Sequence, residues 1–345
     1  MIEIRERYNR VTIIHHVCAN GDLWGITGRR ILRRRSGHTN WEVVAVFPFR
    51  PPRDRVLFSR MATRAFRADK ANVYVNSLGT VVGIRRGAVY RISGGTASWL
   101  GEIQSASILQ RAIAEDTKGR MYFGEYFRNS QRIPVKIWRI SADGTQLDIV
   151  YEFSAGEIRH VHTVFVDPYE PDTFWVTTGD DEGECFLYRG RSEFKDVSRC
   201  GDGTQICRAV NLFFTKDHVS WLTDSHVQQN HAVRMERSTG QIQVGQEIEA
   251  SAWYGFTGLD GRHVGFTTVE DGPGILTNHC NVMASDDAFV WETVGSFKKD
   301  FWRPYSVFRY GAILIPSGQM SSDDFYLSGE AVVGLEGKSF RVAIR

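Results

Sequence analysis

The stretch Thr173–Asp180, TFWVTTGD, shows a pattern that recurs along the whole chain: an apolar and aromatic run that ends abruptly in small and polar residues. Six further stretches with this pattern begin at Asp22, Asn72, Arg120, Val219, His263 and Ala312. Equivalent positions in successive stretches are separated by 44 to 53 residues. A period of this length is typical of four-stranded antiparallel blades arranged around an axis. The sequence therefore predicts an all-β, seven-bladed β-propeller formed by residues 1–345 as one domain, with six or eight blades as the alternatives.

The two ends of the chain carry complementary strand-like segments. The last unit ends in Lys338–Arg345, KSFRVAIR, and the chain begins with Ile2–Tyr8, IEIRERY. A propeller blade with a missing strand leaves an unpaired sheet edge, which a strand from the other end of the chain can cover. We expect the N-terminal strand to complete the last blade and so close the ring without a covalent link.

The composition narrows the class of protein and its surroundings. The chain has 345 residues and a formal net charge of +2, and no apolar run approaches 18 residues, so neither nucleic-acid binding nor a membrane span is expected. The N-terminus lacks the apolar core of a signal peptide. Five cysteines without a Cys-x-x-Cys pair favour free thiols in a reducing compartment over a disulfide between two of Cys185, Cys200 and Cys207. A cytoplasmic location is the resulting expectation.

Short polar motifs give a second periodic feature. Ser141–Val150, SADGTQLDIV, resembles the Asp-box, Ser-x-Asp-x-Gly-x-x-Trp, of the sialidase-like (BNR repeat) propellers. Ser285–Trp291 and Ser36–Trp41 are shorter versions of the same motif. Ser and Asp side chains in such a turn accept hydrogen bonds from the backbone, so Asp143 and Asp287 are expected to staple turns.

Aligning the repeats places one residue of most units at the mouth of the central channel. That column contains Arg64, Arg111, His162, Arg208, Trp253 and Arg303, and the first unit contributes Ile13 with His15 and His16 just inside. Arginine residues that converge on one axis repel each other unless an anion compensates them, and their planar donors suit a carboxylate. The column thus predicts a site for a carboxylate-bearing ligand. The alternative is that the arginines pair with acids on adjoining loops and only brace the channel.

The ends of the second strands add ionisable and aromatic side chains to this mouth. Aromatic rings stack on sugars, arginines hold a carboxylate, and ionisable groups move protons, so the combination suits an acidic carbohydrate. The candidate catalytic residues are His160, His162, Tyr305, Glu125, Tyr126, Asp180, Asp224 and His226. The candidate substrate-binding residues are Arg64, Arg111, Arg159, Arg208, Arg303, Trp253, Tyr254, Glu270 and Gln319.

Two cleavage mechanisms are compatible with these residues. The resemblance to sialidases implies a Tyr nucleophile activated by Glu, here Tyr305 with Glu125 or Glu270, and Asp180 or Asp224 as proton donor. In the lyase alternative, an arginine neutralises a uronate, and His160 or His162, neutral beside the arginines, removes the adjacent proton.

Cleavage of an acidic oligosaccharide or polysaccharide is therefore the expected function, and a propeller that only binds an acidic glycan or a protein partner is the alternative. A metal site is a third possibility, because His160-x-His162 could chelate with His226, His231 or His279. Nearby arginines oppose a cation, so we expect no metal and no other cofactor. The sequence leaves the oligomeric state open.

Overall fold

A computed structural model describes residues 1–302 and 310–345. The fold is all-β, with seven antiparallel sheets of four strands arranged in a ring, so the predicted seven-bladed propeller is confirmed. The helical segments of the described residues are short: α1 (Arg60–Ala65) and the 3-10 turns Arg53–Val56 and Gln205–Cys207. None of the helices in the described part of the chain is long and apolar enough to cross a membrane.

The chain starts with β1 (Ile2–Tyr8), which belongs to the last blade, and then builds the blades in order from the channel outward. Blade one contains β2 (Ile13–Val17), β3 (Leu23–Thr27), β4 (Arg30–Arg34) and β5 (Glu42–Val46). Blade two contains β6 (Asn72–Val75), β7 (Val81–Arg85), β8 (Ala88–Ser93) and β9 (Thr96–Glu102). Blade three contains β10 (Ala114–Glu115), β11 (Met121–Gly124), β12 (Val135–Ile140) and β13 (Leu147–Phe153).

The second half of the ring repeats this arrangement. Blade four contains β14 (Val161–Val166), β15 (Thr173–Thr178), β16 (Cys185–Arg191) and β17 (Asp196–Gly203). Blade five contains β18 (Phe213–Phe214), β19 (His218–Leu222), β20 (Asn230–Glu236) and β21 (Ile242–Ile248). Blade six contains β22 (Ser251–Thr257), β23 (His263–Thr268), β24 (His279–Ser285) and β25 (Glu292–Lys298). Blade seven contains β26 (Ala312–Leu314), β28 (Phe325–Glu330), β29 (Ser339–Ile344) and β1, while β27 (Ser317–Gly318) pairs in parallel with β2.

The ring closes through the predicted N-terminal strand. β1 runs antiparallel to β29, from the pair Ile2 and Ile344 to the pair Tyr8 and Ser339. β1 is thereby the outermost strand of blade seven, and the expectation of non-covalent closure is confirmed. Pairing the two ends covers the backbone edge that β29 would otherwise expose.

The repeat alignment is wrong by one strand in two units. The stretches that begin at Asn72 and Ala312 are the innermost strands β6 and β26, whereas the other five lie on second strands. The physical reason is that inner and second strands are both covered on both faces, so both read as apolar runs that end in polar residues. This shift displaces the arginine column in unit two, where Arg64 was expected at the channel mouth.

Three inner strands carry a β-bulge near their start. The extra residues are His15 in β2, His162 in β14 and Trp253 in β22. A bulge redirects a side chain and often lies beside a functional site. His162 and Trp253, which the sequence predicts to be equivalent, thus also occupy the same kind of position in the backbone, the extra residue of a bulge.

The Asp-box-like motifs form stapled turns. In the turn after β12, the Thr145 amide donates to Ser141 Oγ at 3.0 Å and to Asp143 Oδ1 at 3.2 Å. After β24, the amide of Phe289 donates to Asp287 Oδ1 at 2.9 Å. The structural roles expected for Asp143 and Asp287 are therefore correct. All five cysteines are free, also as expected.

Candidate functional site

A cavity of about 650 Å³ opens at the end of the ring where inner strands start and second strands finish. Its wall includes nine of the residues that the sequence predicted for the site: Tyr126, His162, Asp180, Arg208, Asp224, His226, Trp253, Tyr254 and Glu270. They come from blades three to six, because Tyr126 follows β11, Asp180 follows β15, Asp224 follows β19 and Glu270 follows β23. The predicted convergence of second-strand ends on one mouth is correct for these blades.

Arg208 is the central cation of this wall. It follows the 3-10 turn before β18 and is 5% exposed. Its Nη2 lies 3.0 Å from Asp180 Oδ1, and its Nε lies 3.3 Å from Asp224 Oδ2. One guanidinium group thus compensates the buried carboxylate of Asp224 and the half-buried carboxylate of Asp180, so Arg208 is not a free cation awaiting a substrate.

Asp224, which is buried, and Glu270, which is half-buried, are two electrostatically interacting acids near Arg208. The indole Nε1 of Trp253 donates to Asp224 Oδ1 at 2.7 Å. Burial raises the pKa of Asp224 to about 7, aided by the Glu270 charge and opposed by that of Arg208. Burial also raises the pKa of Glu270. Two acids that share one cation favour a state with one group protonated and the other ionised.

His160 and His162 both reach Asp180. Their Nε2 atoms lie 3.5 Å and 3.3 Å from the Asp180 carboxylate, and both side chains are buried. Burial favours the neutral acid, but contacts with His160 and His162 and the charge of Arg208 lower the pKa of Asp180. Asp180 is therefore an ionised anchor and not the proton donor that the sequence suggested, and the histidines are turned towards it.

Aromatic rings and a half-buried histidine complete the wall. The Tyr126 ring lies 4.4 Å from the His160 ring, centroid to centroid, and burial raises the pKa of Tyr126. Burial also raises the pKa of Tyr254. His226 Nδ1 lies 3.4 Å from Arg208 Nη1, and burial together with the Arg208 charge lowers the pKa of His226. These groups stay neutral near pH 7 and offer apolar faces and hydroxyl groups to a ligand.

The sequence reasoning missed three important wall residues: Arg67, Lys70 and Tyr310. Arg67 donates to the Tyr310 hydroxyl at 2.9 Å, and within the described residues no carboxylate lies within 4 Å of it. Lys70 pairs with buried Glu330 at 2.7 Å. Arg67 and Lys70 lie between Arg64 and the inner strand β6, and the placement of β6 as an inner strand is the signal that identifies them.

Two arginines of the predicted ring brace the channel instead of facing the cavity. Arg64 lies on α1, not on an inner strand, and its Nη1 pairs with Glu330 at 3.0 Å. Arg111 is half-buried shortly before β10 and donates to the backbone carbonyl of Pro316. Burial lowers the pKa of Arg111 to about 10. The four-arginine ring is therefore wrong for these members, and the bracing alternative describes them.

Other predicted site residues are also displaced. Glu125 is fully buried and accepts from the amides of Gln104 and Lys136, which fixes loops and leaves no carboxylate for catalysis. Gln319 lies at the other mouth of the channel, away from the cavity. Its backbone N–H donates to the carbonyl of Val17 at the end of β2. Arg159 is outside the cavity wall and pairs with Asp180 at 3.3 Å. Arg303 and Tyr305 lie outside the described residues.

Comparisons with known proteins match the architecture alone. No protein-family model and no curated protein matches the chain. Among solved structures, BBS1N in complex with ARL6DN superposes with a TM-score of 0.57 and 9% identity, covering 100% of this chain and 97% of that one. Puromycin hydrolase gives a TM-score of 0.51 and 10% identity over 91% of this chain and 53% of that one. Oligogalacturonate lyase in complex with manganese gives a TM-score of 0.46 and 8% identity, over 94% of this chain and 73% of that one. At such identities the likeness supports a propeller scaffold, and the sialidase-like resemblance stays a prediction.

Proposed function

We propose that the protein cleaves an acidic oligosaccharide in the cavity at the mouth of the channel, with Asp224 and Glu270 as the proton-transfer pair. The observation that carries this proposal is that these two acids line the wall of a 650 Å³ cavity and interact electrostatically with each other and with Arg208, whose Nε lies 3.3 Å from Asp224 Oδ2. Glycosidic cleavage needs one carboxyl group that donates a proton and a second group that accepts one or attacks.

Asp224 is the group that donates the proton. Its pKa of about 7 keeps a substantial protonated fraction at neutral pH, and the indole of Trp253 at 2.7 Å fixes the direction of the carboxyl group. Glu270 serves as the ionised partner, since Arg208 stabilises a single negative charge shared by the pair. In hydrolysis Glu270 activates a water molecule. In elimination it removes the proton from the sugar carbon that bears the carboxylate.

The remaining wall residues suit a sugar that carries a carboxylate. Trp253, Tyr254 and Tyr310 line the cavity and offer ring faces for a pyranose. Arg67 is held by the Tyr310 hydroxyl at 2.9 Å and keeps guanidinium donors for an incoming anion. The carboxylate anchor is thus Arg67, and not the ring of arginines that the sequence suggested.

The test is to incubate the protein with sialate- and uronate-containing oligosaccharides and with the same uronate substrates after carboxyl reduction. New reducing ends without ultraviolet absorbance identify hydrolysis, and absorbance of an unsaturated uronate identifies elimination. Asp224→Asn is expected to lower kcat by about 100-fold or more. Arg67→Met is expected to raise KM for the acidic substrate and to abolish its preference over the reduced one.

The control is Arg35→Met, which removes an exposed arginine far from the cavity wall and leaves kinetics unchanged. Binding of acidic glycans without any turnover would overturn the catalytic proposal and leave a binding module. Failure both to bind and to cleave every member of the panel would overturn the carbohydrate assignment as well.

A further inference from the structure

Three side chains at the rim of the cavity have the geometry of a metal-binding triad. One nitrogen from His160, one from His162 and one oxygen from Asp180 all lie within 4.8 Å of one another. The two imidazoles come from the start of β14, and the carboxylate follows the adjacent strand β15. We propose that His160, His162 and Asp180 bind a divalent first-row transition-metal ion. This proposal goes beyond glycan cleavage and does not depend on it.

Hydrogen bonds to the backbone set the tautomer of both rings. His160 Nδ1 lies 3.0 Å from the carbonyl oxygen of Phe127, and His162 Nδ1 lies 2.8 Å from that of Ala209. A carbonyl oxygen can only accept, so each Nδ1 carries a hydrogen, and in the neutral ring each Nε2 presents a lone pair. A carbonyl that holds the far nitrogen of a metal-ligating histidine is the usual supporting arrangement.

The lone pairs meet an acceptor unless a cation lies between them. Both Nε2 atoms point to the Asp180 carboxylate, at 3.5 Å and 3.3 Å, and an ionised carboxylate has no hydrogen to donate. Among the described residues, His160 Nε2 is buried and has no hydrogen-bond partner, in a residue that is 3% exposed. A metal ion bound to the three atoms removes this mismatch and gives the buried His160 Nε2 a partner.

The arginines near Asp180 do not make the surroundings positive. Ion pairs and shared charge connect five acids and three arginines into one network around the triad. The acids are Asp180, Asp181, Glu184, Asp224 and Glu270, and the arginines are Arg132, Arg159 and Arg208. With one proton on the Asp224–Glu270 pair, the network has four negative and three positive charges and therefore stays negative overall. The objection drawn from the sequence, that arginines oppose a cation, is answered by these acids.

The backbone at Asp180 is held in an uncommon conformation. Its φ is +140°, a region that side-chain-bearing residues rarely adopt, and Gly179 before it has φ +145°. Such strain persists where the surrounding structure fixes it, and it concentrates at functional sites. Here it places the carboxylate opposite the two Nε2 atoms.

The donor set indicates the class of metal. Two imidazoles and one carboxylate suit zinc, manganese or iron(II) and leave coordination positions open, whereas magnesium and calcium prefer oxygen ligands. His162 and Asp180 also line the cavity, so the open positions face the space that a ligand would occupy.

The experiment is a calorimetric titration of the EDTA-treated full chain with Zn²⁺ and Mn²⁺, with Mg²⁺ for comparison. One transition-metal ion per chain is expected, with much weaker Mg²⁺ binding. Co²⁺ is expected to give a visible absorption band that reports nitrogen and oxygen ligation. His160→Asn and His162→Asn are the chosen variants, because the Asn amide can still donate to the carbonyl while the Nε2 ligand is lost.

Each Asn variant is expected to weaken Zn²⁺ binding by about 100-fold, and Asp180→Asn by about 10- to 100-fold. His38→Ala, an exposed histidine in blade one, is the matched control and keeps full affinity. Metal binding that survives in both Asn variants, or a protein that binds neither Zn²⁺ nor Mn²⁺, would overturn the site. Glycan cleavage by a protein that binds neither Zn²⁺ nor Mn²⁺ would leave the proposed function intact while removing this inference, so the two can fail separately.

Discussion

Arg208 Nη2 lies 3.0 Å from Asp180 Oδ1, and through Nε the same guanidinium group also reaches Asp224, at 3.3 Å. All three side chains are largely buried, so each charge depends on the others for compensation. Removal of one member of a buried ionic group leaves an uncompensated charge and costs about 3–5 kcal/mol. The stability of the propeller and the chemistry of its cavity therefore depend on the same residue.

Arg208→Met is expected to lower the free energy of unfolding at pH 7 by about 3–5 kcal/mol. The loss should be smaller at pH 5, because protonation of Asp224 removes one of the charges that Met cannot compensate. Urea denaturation at both pH values measures the effect. Arg208→Lys keeps the positive charge and should recover part of the loss at pH 7. An equal loss at both pH values would show that Arg208 acts through packing and not through its charge.

Asp224 is expected to make the stability of the protein fall as pH rises. Its pKa is about 7 in the folded protein and near 3.8 when exposed, so the folded state binds the extra proton between these values. Stability is then lost from about pH 4 to pH 7, with a limiting slope of about 1.4 kcal/mol per pH unit. Between pH 5 and pH 8, wild type should lose about 2–3 kcal/mol relative to Asp224→Asn.

Urea denaturation of wild type and Asp224→Asn between pH 5 and pH 8 tests whether the titration of Asp224 changes the stability. Asp271→Asn, which removes an exposed acid from the same cavity wall, serves as the control and should follow wild type. Parallel stability profiles for wild type and Asp224→Asn would rule out a raised pKa for Asp224.

The architecture was predictable because blades repeat a physical constraint. Every blade must bury two apolar strands beside the channel, so the pattern of TFWVTTGD returns at blade-length intervals. The same constraint also makes inner and second strands hard to tell apart in the sequence. The inner strands β6 and β26 were therefore matched to second strands of other blades. As a result, the segment between β5 and β6 that contains α1 was predicted to be an inner strand. Arg64 was thereby assigned to the channel mouth, although it pairs with Glu330.

The sequence predicted which residues line the site better than it predicted what each of them does. His162, Asp180, Arg208 and Asp224 follow from strand ends that converge on one axis. Their roles depend on distances that repeat spacing does not contain. Arg208 is occupied by two acids, and the Asp180 carboxylate is faced by two imidazoles, so neither acts in the way that its residue type alone indicated.

Closure of the ring gives a prediction for β1. Deletion of residues 1–9 exposes the edge of β29, which pairs with β1 from Ile344 to Ser339. An unpaired edge strand promotes association between molecules, so the truncated protein should have a lower Tm and should form oligomers in size-exclusion chromatography. A synthetic peptide of residues 1–10, added in excess, should restore the monomer-like profile and raise the Tm.

The control for that experiment is a peptide of the same composition in scrambled order, which should restore nothing. An unchanged Tm in the truncated protein would contradict the importance of this strand for closure.

Gly124 permits blade three to pack against the strand that carries His162. A Cβ atom at Gly124 would lie 2.2 Å from Val161 Cγ1 and 2.4 Å from Val161 Cβ, far inside van der Waals contact. Overpacking a tight contact costs about 1–3 kcal/mol, so Gly124→Ala should lower the free energy of unfolding by that amount. Val161→Gly removes all the Val161 side-chain atoms that the added methyl group would meet, and the double variant should therefore be more stable than the sum of the single losses predicts, by about 1 kcal/mol or more. A urea-denaturation cycle over the four proteins measures this coupling. Strictly additive losses would show that β14 moves away freely, in which case the contact between Gly124 and Val161 does not fix the position of His162.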